Sequence, residues 1–383
     1  MGARMTNGTC PGFEDVMMMM PDANDTCPAD QCIIDQNGEC GHPPLTMHAY
    51  IVPVILALIT LIGLVGNSIV VFVIFYQGQL KTVTNYYIVN LAITDLAFLI
   101  ACAPFTAALY ATKDWMFGRF MCKFVFYLQQ VTAQSTCITL TAMSVDRYHA
   151  IVHPLKSLKT RTRHIAVMAS CCIWTFSALL SIPVAVFFDV TEDEICQTQV
   201  FFCMEMWPEK VNNILKQCYL VYSTMVVYII PLSIITVCYA VVLRRLWKSV
   251  SPTEESIHAP AHIRIEIQKR KVTRMVLAVI LAFAICWLPL HAMNFWIRFD
   301  PCFASYHTND AVLAFYAFAQ GLAYFNSCVN PFVYAFMGGN FRRNLYQMLG
   351  RKSGRKPSST CLSHDGRNHD AQTSLLRTRT TQV

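Results

Sequence analysis

The chain has 383 residues, of which 55% are hydrophobic and 14% charged, and its formal net charge is +7. A water-soluble domain of this length carries about a quarter charged residues, so the composition excludes a protein that keeps most of its surface in water. The positive balance alone would suit a nucleic-acid binder, but its placement along the chain excludes that reading.

Residues 1–48 form an acidic leading segment, with seven acidic residues against Arg4 alone. Its longest apolar patch, Val16 to Met20, is flanked by acids and too short for a cleavable signal peptide, so the first long apolar stretch is expected to act as an uncleaved targeting signal. Asn7 and Asn24 open glycosylation sequons in this segment.

Residues 49–337 then read as a bundle. A helix needs about 20 residues to cross the hydrocarbon core, and seven stretches meet that length: Ala49–Tyr76, Asn85–Tyr110, Phe120–Ile151, His164–Phe188, Ile214–Leu246, Val272–Ile297 and Ala311–Met337. The expected fold is therefore all-α, a seven-transmembrane helix bundle. The connection after the third span holds Lys156, Lys159, Arg161 and Arg163 and no acid. From Arg244 to Arg274 there are eight basic residues against three acidic, and after Asn340 nine against two. Lysine and arginine mark cytoplasmic loops, which predicts a multi-pass plasma-membrane protein with its N-terminus extracellular. The positive charge is then a matter of topology and of attraction to anionic inner-leaflet lipid.

Cysteines sort by side. Cys10, Cys27, Cys32, Cys40, Cys122, Cys196, Cys203 and Cys302 fall in the outer segments, an even set suited to an oxidising compartment. Cys361 stands in the tail.

Ionisable groups inside the spans are costly and so informative. Asp95 lies in the middle of the second span, where a carboxylate must pair, protonate or hold a cation. Thr136, Asn326, Ser327 and Asn330 offer oxygens to a hard ion. Asp146-Arg147-Tyr148 ends the third span: the acid can hold the arginine, or the arginine can snorkel to the interface. Pro104, Pro231, Pro289 and Pro331 each delete a backbone hydrogen bond and favour kinks. After the last span, residues 338–350 place Phe341, Leu345, Met348 and Leu349 at helical spacing opposite Arg342 and Arg343, as in an interfacial helix. Residues 351–383 are polar enough to stay disordered and end in Thr381-Gln382-Val383. That is either a terminus that adds to a PDZ-type sheet edge or simply a tail ending in valine.

Taken in register, Gly66-Asn67, Asn90-Leu-Ala-X-X-Asp95, Cys122, Asp146-Arg147-Tyr148, Trp174, Pro231 with Tyr239, Phe283-X-X-Cys286-Trp287-X-Pro289 and Asn330-Pro331-X-X-Tyr334 resemble the rhodopsin-class G-protein-coupled receptors across residues 48–350. Within that class, Phe117 to Val131, Leu140 to Arg147 and Thr82 to Ile88 are most similar to kisspeptin receptors, with galanin and allatostatin-A receptors as near relatives. The resemblance implies a receptor, not an enzyme, for a small amidated, arginine-containing peptide, coupled to a heterotrimeric G protein of the Gq family. A galanin-like receptor would couple to Gi. Arrestin is a further implied partner, and no resident cofactor is implied beyond an allosteric sodium ion at Asp95, Thr136, Asn326 and Asn330. Trp287 and Phe283, with Pro289 in the same helix, would rearrange beneath the ligand. Arg147, released from Asp146, would meet the G protein while Tyr239 and Tyr334 close behind it, and Leu155 would contact the G protein. The loop pattern at Cys203 implies a disulfide to Cys122, leaving six outer cysteines with fifteen pairings. Cys137 stands where the family usually keeps isoleucine.

Gln129 occupies the place where amine receptors carry an aspartate, which excludes a small monoamine ligand. Gln129, Gln130, His291, Asn294, Gln320 and Tyr324 either face the ligand or bond between helices. Glu205 and Glu209 either bind a ligand guanidinium or stand as solvated acids. A transporter would show matched broken helices in two repeats, which this chain lacks, and a membrane enzyme would need a catalytic cluster, where His291 stands nearly alone.

Overall fold

The computed structural model describes residues 33–34, 40–41, 47–76, 78, 80, 82–195, 198–208, 213–248, 260–300, 310–338, 341–343 and 345–346. Asn7, Asn24, Glu209, Met348, Leu349, Thr381 and Val383, and Cys10, Cys27, Cys32, Cys196, Cys302 and Cys361, lie outside them.

Strands β1 (Ile33–Ile34) and β2 (Cys40–Gly41) pair antiparallel ahead of the bundle. The first span is α1 (Met47–Tyr76). The second is α2 (Val83–Ala101) continued by α3 (Ala103–Thr112), and the third is α4 (Gly118–Val152). A short helix α5 (Pro154–Thr160) leads to α6 (Arg163–Leu180) and α7 (Ile182–Phe187), which together make the fourth span. Strands β3 (Phe188–Ile195) and β4 (Thr198–Glu205) form an antiparallel hairpin in which Val190 faces Cys203. The fifth span is α8 (Asn213–Thr224), a π-helical turn (Met225–Ile229) and α9 (Ile230–Lys248). The sixth and seventh are α10 (Pro260–Phe299) and α11 (Asp310–Met337). The predicted spans are recovered, with α10 starting twelve residues before Val272. Residues 341–343 and 345–346 are helical as well.

Two of the four prolines coincide with irregular backbone, while α10 and α11 run continuously through Pro289 and Pro331. The second span breaks at Cys102, two residues before Pro104. Ahead of Pro231 the helix widens into the π turn, which makes room for a ring that can neither donate nor fit beside the carbonyl four residues back.

Among the described residues, six helices are long and apolar enough to cross a membrane by length and composition, and α4 is not one of them. It carries Gln129, Gln130, Thr132, Gln134, Ser135, Thr136, Thr139, Thr141 and Ser144. The reason is its position. Residues 131–137 are buried in an unbroken run, so this helix meets other helices all round and has little lipid to satisfy. By contrast α1 buries one stripe only, Leu56, Gly63, Asn67, Val70 and Val73, and turns Leu58, Leu61, Ile62 and Val65 outward.

Two buried apolar clusters fill the bundle. One, containing Leu56, Leu99, Trp115, Val125 and Tyr324, lies at the hairpin end. The other runs through Leu91, Cys137, Leu140, Met143, Tyr239, Phe283, Trp287 and Tyr334. Small residues set how closely helices approach: a Cβ on Gly66 would lie 3.0 Å from Pro331, so α1 rests directly on α11 at Pro331.

Candidate functional site

Polar groups that lipid would reject are stacked through the bundle in three levels. The middle level starts at Asp95, which is 1% exposed and accepts a hydrogen bond from Asn330 Nδ2 at 2.8 Å. Asn67 Nδ2 donates to the carbonyls of Gly63 at 2.9 Å and Ser327 at 2.8 Å, tying α1 to α11. Asn90 joins three spans: it donates to Thr139 at 2.8 Å and accepts from Trp174 Nε1 at 2.9 Å. Asn326, one turn from Asn330, is buried with its Oδ1 unpaired, as is Oδ1 of Asn330. Thr136 is buried on α4.

At the end opposite the hairpin, Asp146 and Arg147 form a buried ion pair, with Arg147 Nε 3.2 Å from Asp146 Oδ2. Arg147 also bonds Thr84 of α2. Asp146 receives a second guanidinium: Arg161 places Nε 2.6 Å from Oδ1 and Nη2 3.0 Å from Oδ2. Short helix α5, running from Pro154, brings Arg161 back over the end of α4. One carboxylate thus restrains Arg147 while a second arginine restrains the carboxylate. Arg161 and Thr84 were not singled out in the sequence, where Arg161 reads only as loop charge. Tyr239 and Tyr334 are buried beneath this pair with both hydroxyls unpaired. Tyr148 lies against His149 and His153, while Leu155 on α5 is 82% exposed and touches no core.

At the hairpin end the residues expected to face a ligand divide. Gln129 and Asn294 are half-buried. The His291 ring lies tilted against its neighbours, 4.7 Å from Tyr228 and 6.2 Å from Trp287. His291 Nε2 and Trp287 Nε1 are buried and unpaired, so two polar atoms at this depth have no hydrogen bond within the bundle. Phe283 sits 5.8 Å below Trp287, and Pro289 lies within the same helix. Cys137 shares this cluster, fully buried.

Other candidates are engaged between helices. Gln130 Nε2 donates to Ser223 at 3.2 Å, and Gln320 Oε1 accepts from Tyr110 at 2.8 Å. Tyr324 takes the interhelical of its two expected readings. It is fully buried, its hydroxyl 2.7 Å from Thr106 Oγ1 and its ring stacked on Phe98 at 4.5 Å. Glu205 is not a free acid either: Arg298 Nη2 lies 2.6 Å from its Oε2.

The hairpin itself is strongly fixed on α4. Cys122 and Cys203 are joined by a disulfide with Cα atoms 5.7 Å apart, the pairing expected from the loop pattern. Asp189 bonds Arg119 through both carboxylate oxygens, with Lys123 3.6 Å away. The Arg119 hydrogen bonds hold the Asp189 carboxyl down at about 2. Lys123 Nζ also caps α7 through the carbonyls of Ala185 at 3.3 Å, Val186 at 3.4 Å and Phe188 at 2.6 Å. The turn before α4 adds Trp115 N to Phe201 O and Phe201 N to Asp114 Oδ1, both 2.8 Å.

Residues 66–334 match the family model described as 7 transmembrane receptor (rhodopsin family). The chain is 40% identical over 313 residues to "G-protein coupled receptor 54" of Oreochromis niloticus, covering 81% of each chain. It is 36% identical over 349 residues to the "KiSS-1 receptor" of Mus musculus, covering 90% of this chain and 86% of that one. With "Galanin receptor 2b" of Danio rerio it shares 35% over 322 residues, covering 83% and 77%. An interior polar column spanning helix to helix, a caged arginine at one end and a disulfide-fixed hairpin at the other are thus found in a chain that matches receptor relatives over most of their length. This multi-pass plasma-membrane protein belongs to the rhodopsin family of seven-transmembrane, G-protein-coupled receptors, and is a signalling receptor rather than an enzyme.

Proposed function

We propose that the chain is a receptor for a small amidated peptide bearing arginine, read at the hairpin end and transmitted to a Gq-family G protein at the opposite end. The observation that carries this reading is the caged Arg147. A buried guanidinium held by one acid, itself held by Arg161, has the form of a resting lock that a G protein could open. The kisspeptin-type relatives support the ligand class, as do the neutral Gln129 and the acids at the hairpin. Galanin receptors are 35–37% identical to the chain against 36–39% for KiSS-1 receptors, so a Gi-coupled galanin-like peptide receptor is the second reading. Arg-Phe-amide peptides and galanin, each read by calcium and cyclic AMP, separate the two. A calcium rise to the first supports the proposal, and a cyclic-AMP fall to galanin alone overturns it.

The ligand would enter beside Gln129, His291 and Asn294, with Gln130 and Gln320 setting the helix spacing around them and Tyr324 acting from behind. Below it, Phe283, Trp287 and Pro289 would pass the change toward Tyr239 and Tyr334. Leu155, exposed on α5, would seat in the G protein beside Arg147, with Tyr148 at the margin, and arrestin would use the same surface.

An allosteric sodium ion fits the middle level. Asp95 supplies the charge, and the unpaired buried oxygens of Asn326 and Asn330 supply neutral donors, with Thr136 on the facing helix. Such an oxygen-only set suits a hard cation. Because an ion that prefers the resting state must weaken agonist binding reciprocally, Asp95→Asn should remove the loss of agonist affinity caused by sodium. An equal sodium effect in wild type and variant would place the ion elsewhere.

The acidic segment, with Asn7 and Asn24 glycosylated, is read as extracellular. Phe341 and Leu345 are half-buried while Arg342 and Arg343 are exposed, which supports a helix lying on inner-leaflet lipid. Thr381 and Val383 are read as a PDZ-binding terminus, tested by adding one alanine after Val383. Unchanged capture by a PDZ domain would refute it.

A further inference from the structure

The pair between Glu205 and Arg298 joins two bodies that are otherwise held very differently. Glu205 is the last residue of β4, on a hairpin fixed to α4 by the Cys122–Cys203 disulfide and by Arg119 on Asp189. Arg298 lies in the last turn of α10, where a cation is favoured by the helix dipole. Along α10, Trp287, His291, Asn294 and Arg298 recur at intervals of four, three and four residues, so Arg298 ends the same face that carries the deep candidates for ligand contact.

Their side chains keep access to water: 32% of Arg298 and 21% of Glu205 is exposed. An ion pair that keeps this contact with water adds only modest net stability, because both partners are solvated when apart. It is therefore easy to exchange for an equivalent partner. Another guanidinium is the equivalent partner, since it presents the same planar fork to the carboxylate.

We propose that Glu205 is a guanidinium exchange site: Arg298 occupies it at rest, and the arginine of an activating peptide takes Arg298's place, releasing the end of the sixth span from the hairpin. The proposal rests on the reading of the ligand as an arginine-bearing peptide. It accounts for how a contact at the mouth can act on a helix without moving the hairpin, which its disulfide holds still. Ligand and Arg298 compete for one carboxylate, so the peptide makes a contact in the released state that it cannot make in the latched one. That difference is what lets a ligand shift the balance between states.

The test measures, on purified receptor, the affinity of an Arg-Phe-amide peptide and of its citrulline analogue, which keeps the shape and loses the charge. Because both are read on the same variant, altered folding cancels in the ratio. Wild type should prefer the arginine peptide, and Glu205→Gln should abolish that preference. Arg298→Gln should widen it by about two- to fivefold, the range an ion pair of this exposure supports, and should raise nucleotide exchange on G protein without ligand. The exchanged pair Glu205→Arg with Arg298→Glu should restore basal exchange to the wild-type value. A wild-type preference that survives Glu205→Gln, or that Arg298→Gln leaves unchanged, overturns the exchange alone. Equal affinity of wild type for both peptides overturns the ligand reading and the exchange with it.

Discussion

The first and third spans differ in what surrounds them. In α1 only 22% of the most apolar stretch is buried in the bundle, and the rest must satisfy lipid, so its sequence is nearly free of polar groups. In α4 residues 131–137 are buried without a break, and the helix carries hydroxyls, amides, an acid and two arginines. Between these two helices, apolarity follows contact with lipid rather than membrane crossing. The helix that looks least like a membrane span sits at the centre and carries the interactions that can switch.

That difference can be broken at several depths. The largest effect is expected from truncation in the core: Leu140→Ala should lower stability by about 2–5 kcal/mol, because the cavity removes packing on all sides. Leu58→Ala, whose side chain is 55% exposed, should change it by less than about 0.5 kcal/mol. Thermal unfolding in detergent measures both, and equal losses would contradict the placement of the two helices. Next, Asn90→Ala removes the bonds to Thr139 and Trp174 and should destabilise by about 1–3 kcal/mol, because it leaves a buried donor unpaired. Full stability in that variant would show that the link between spans two, three and four does not matter.

Smaller effects are expected at the lock. Asp146→Asn should raise ligand-free nucleotide exchange about fivefold, the factor set by roughly 1 kcal/mol. Arg161→Ala should raise it less, since Arg147 keeps its own contact with Asp146. Silence in both variants would mean that Arg147 is restrained elsewhere. The smallest effect concerns pH. Asp189 is held at about 2 by Arg119, below its unfolded value of 3.8. Its contribution is therefore fully present above the unfolded value and lost only as pH falls through about 2. Amide exchange in the β3–β4 hairpin should not respond to protonation of Asp189 between pH 5 and 8. Loss of protection there on acidification, abolished by Asp189→Asn, would contradict the bidentate contact.

Much of this was legible in the sequence, for physical reasons. Lipid forces long apolar stretches, so the spans could be placed. Lone acids and amides within them, Asp95, Asn90 and Asn330, had to find partners and did. What sequence could not give was pairing that depends on how a connection turns. Arg161 looks like one more loop cation until α5 folds it fifteen residues back onto Asp146. Arg298 looks like an ordinary helix-end base until the hairpin brings Glu205 to it. Tyr324 has the depth and chemistry of a pocket residue, but Thr106 and Phe98 engage it from the neighbouring span, which spacing along one helix does not reveal.

The account rests on α4 as the element that carries the signal and α1 as an anchor, and paired scanning tests this most directly. Residues 131–137 of α4 and the exposed positions Leu58, Leu61, Ile62 and Val65 of α1 would each be replaced by alanine, or alanine by leucine. Agonist-stimulated nucleotide exchange would be normalised to receptor at the surface. The predicted result is loss or constitutive activity concentrated in α4, with the α1 positions near wild type. Comparable loss in both sets, or signalling spared throughout 131–137, would contradict it.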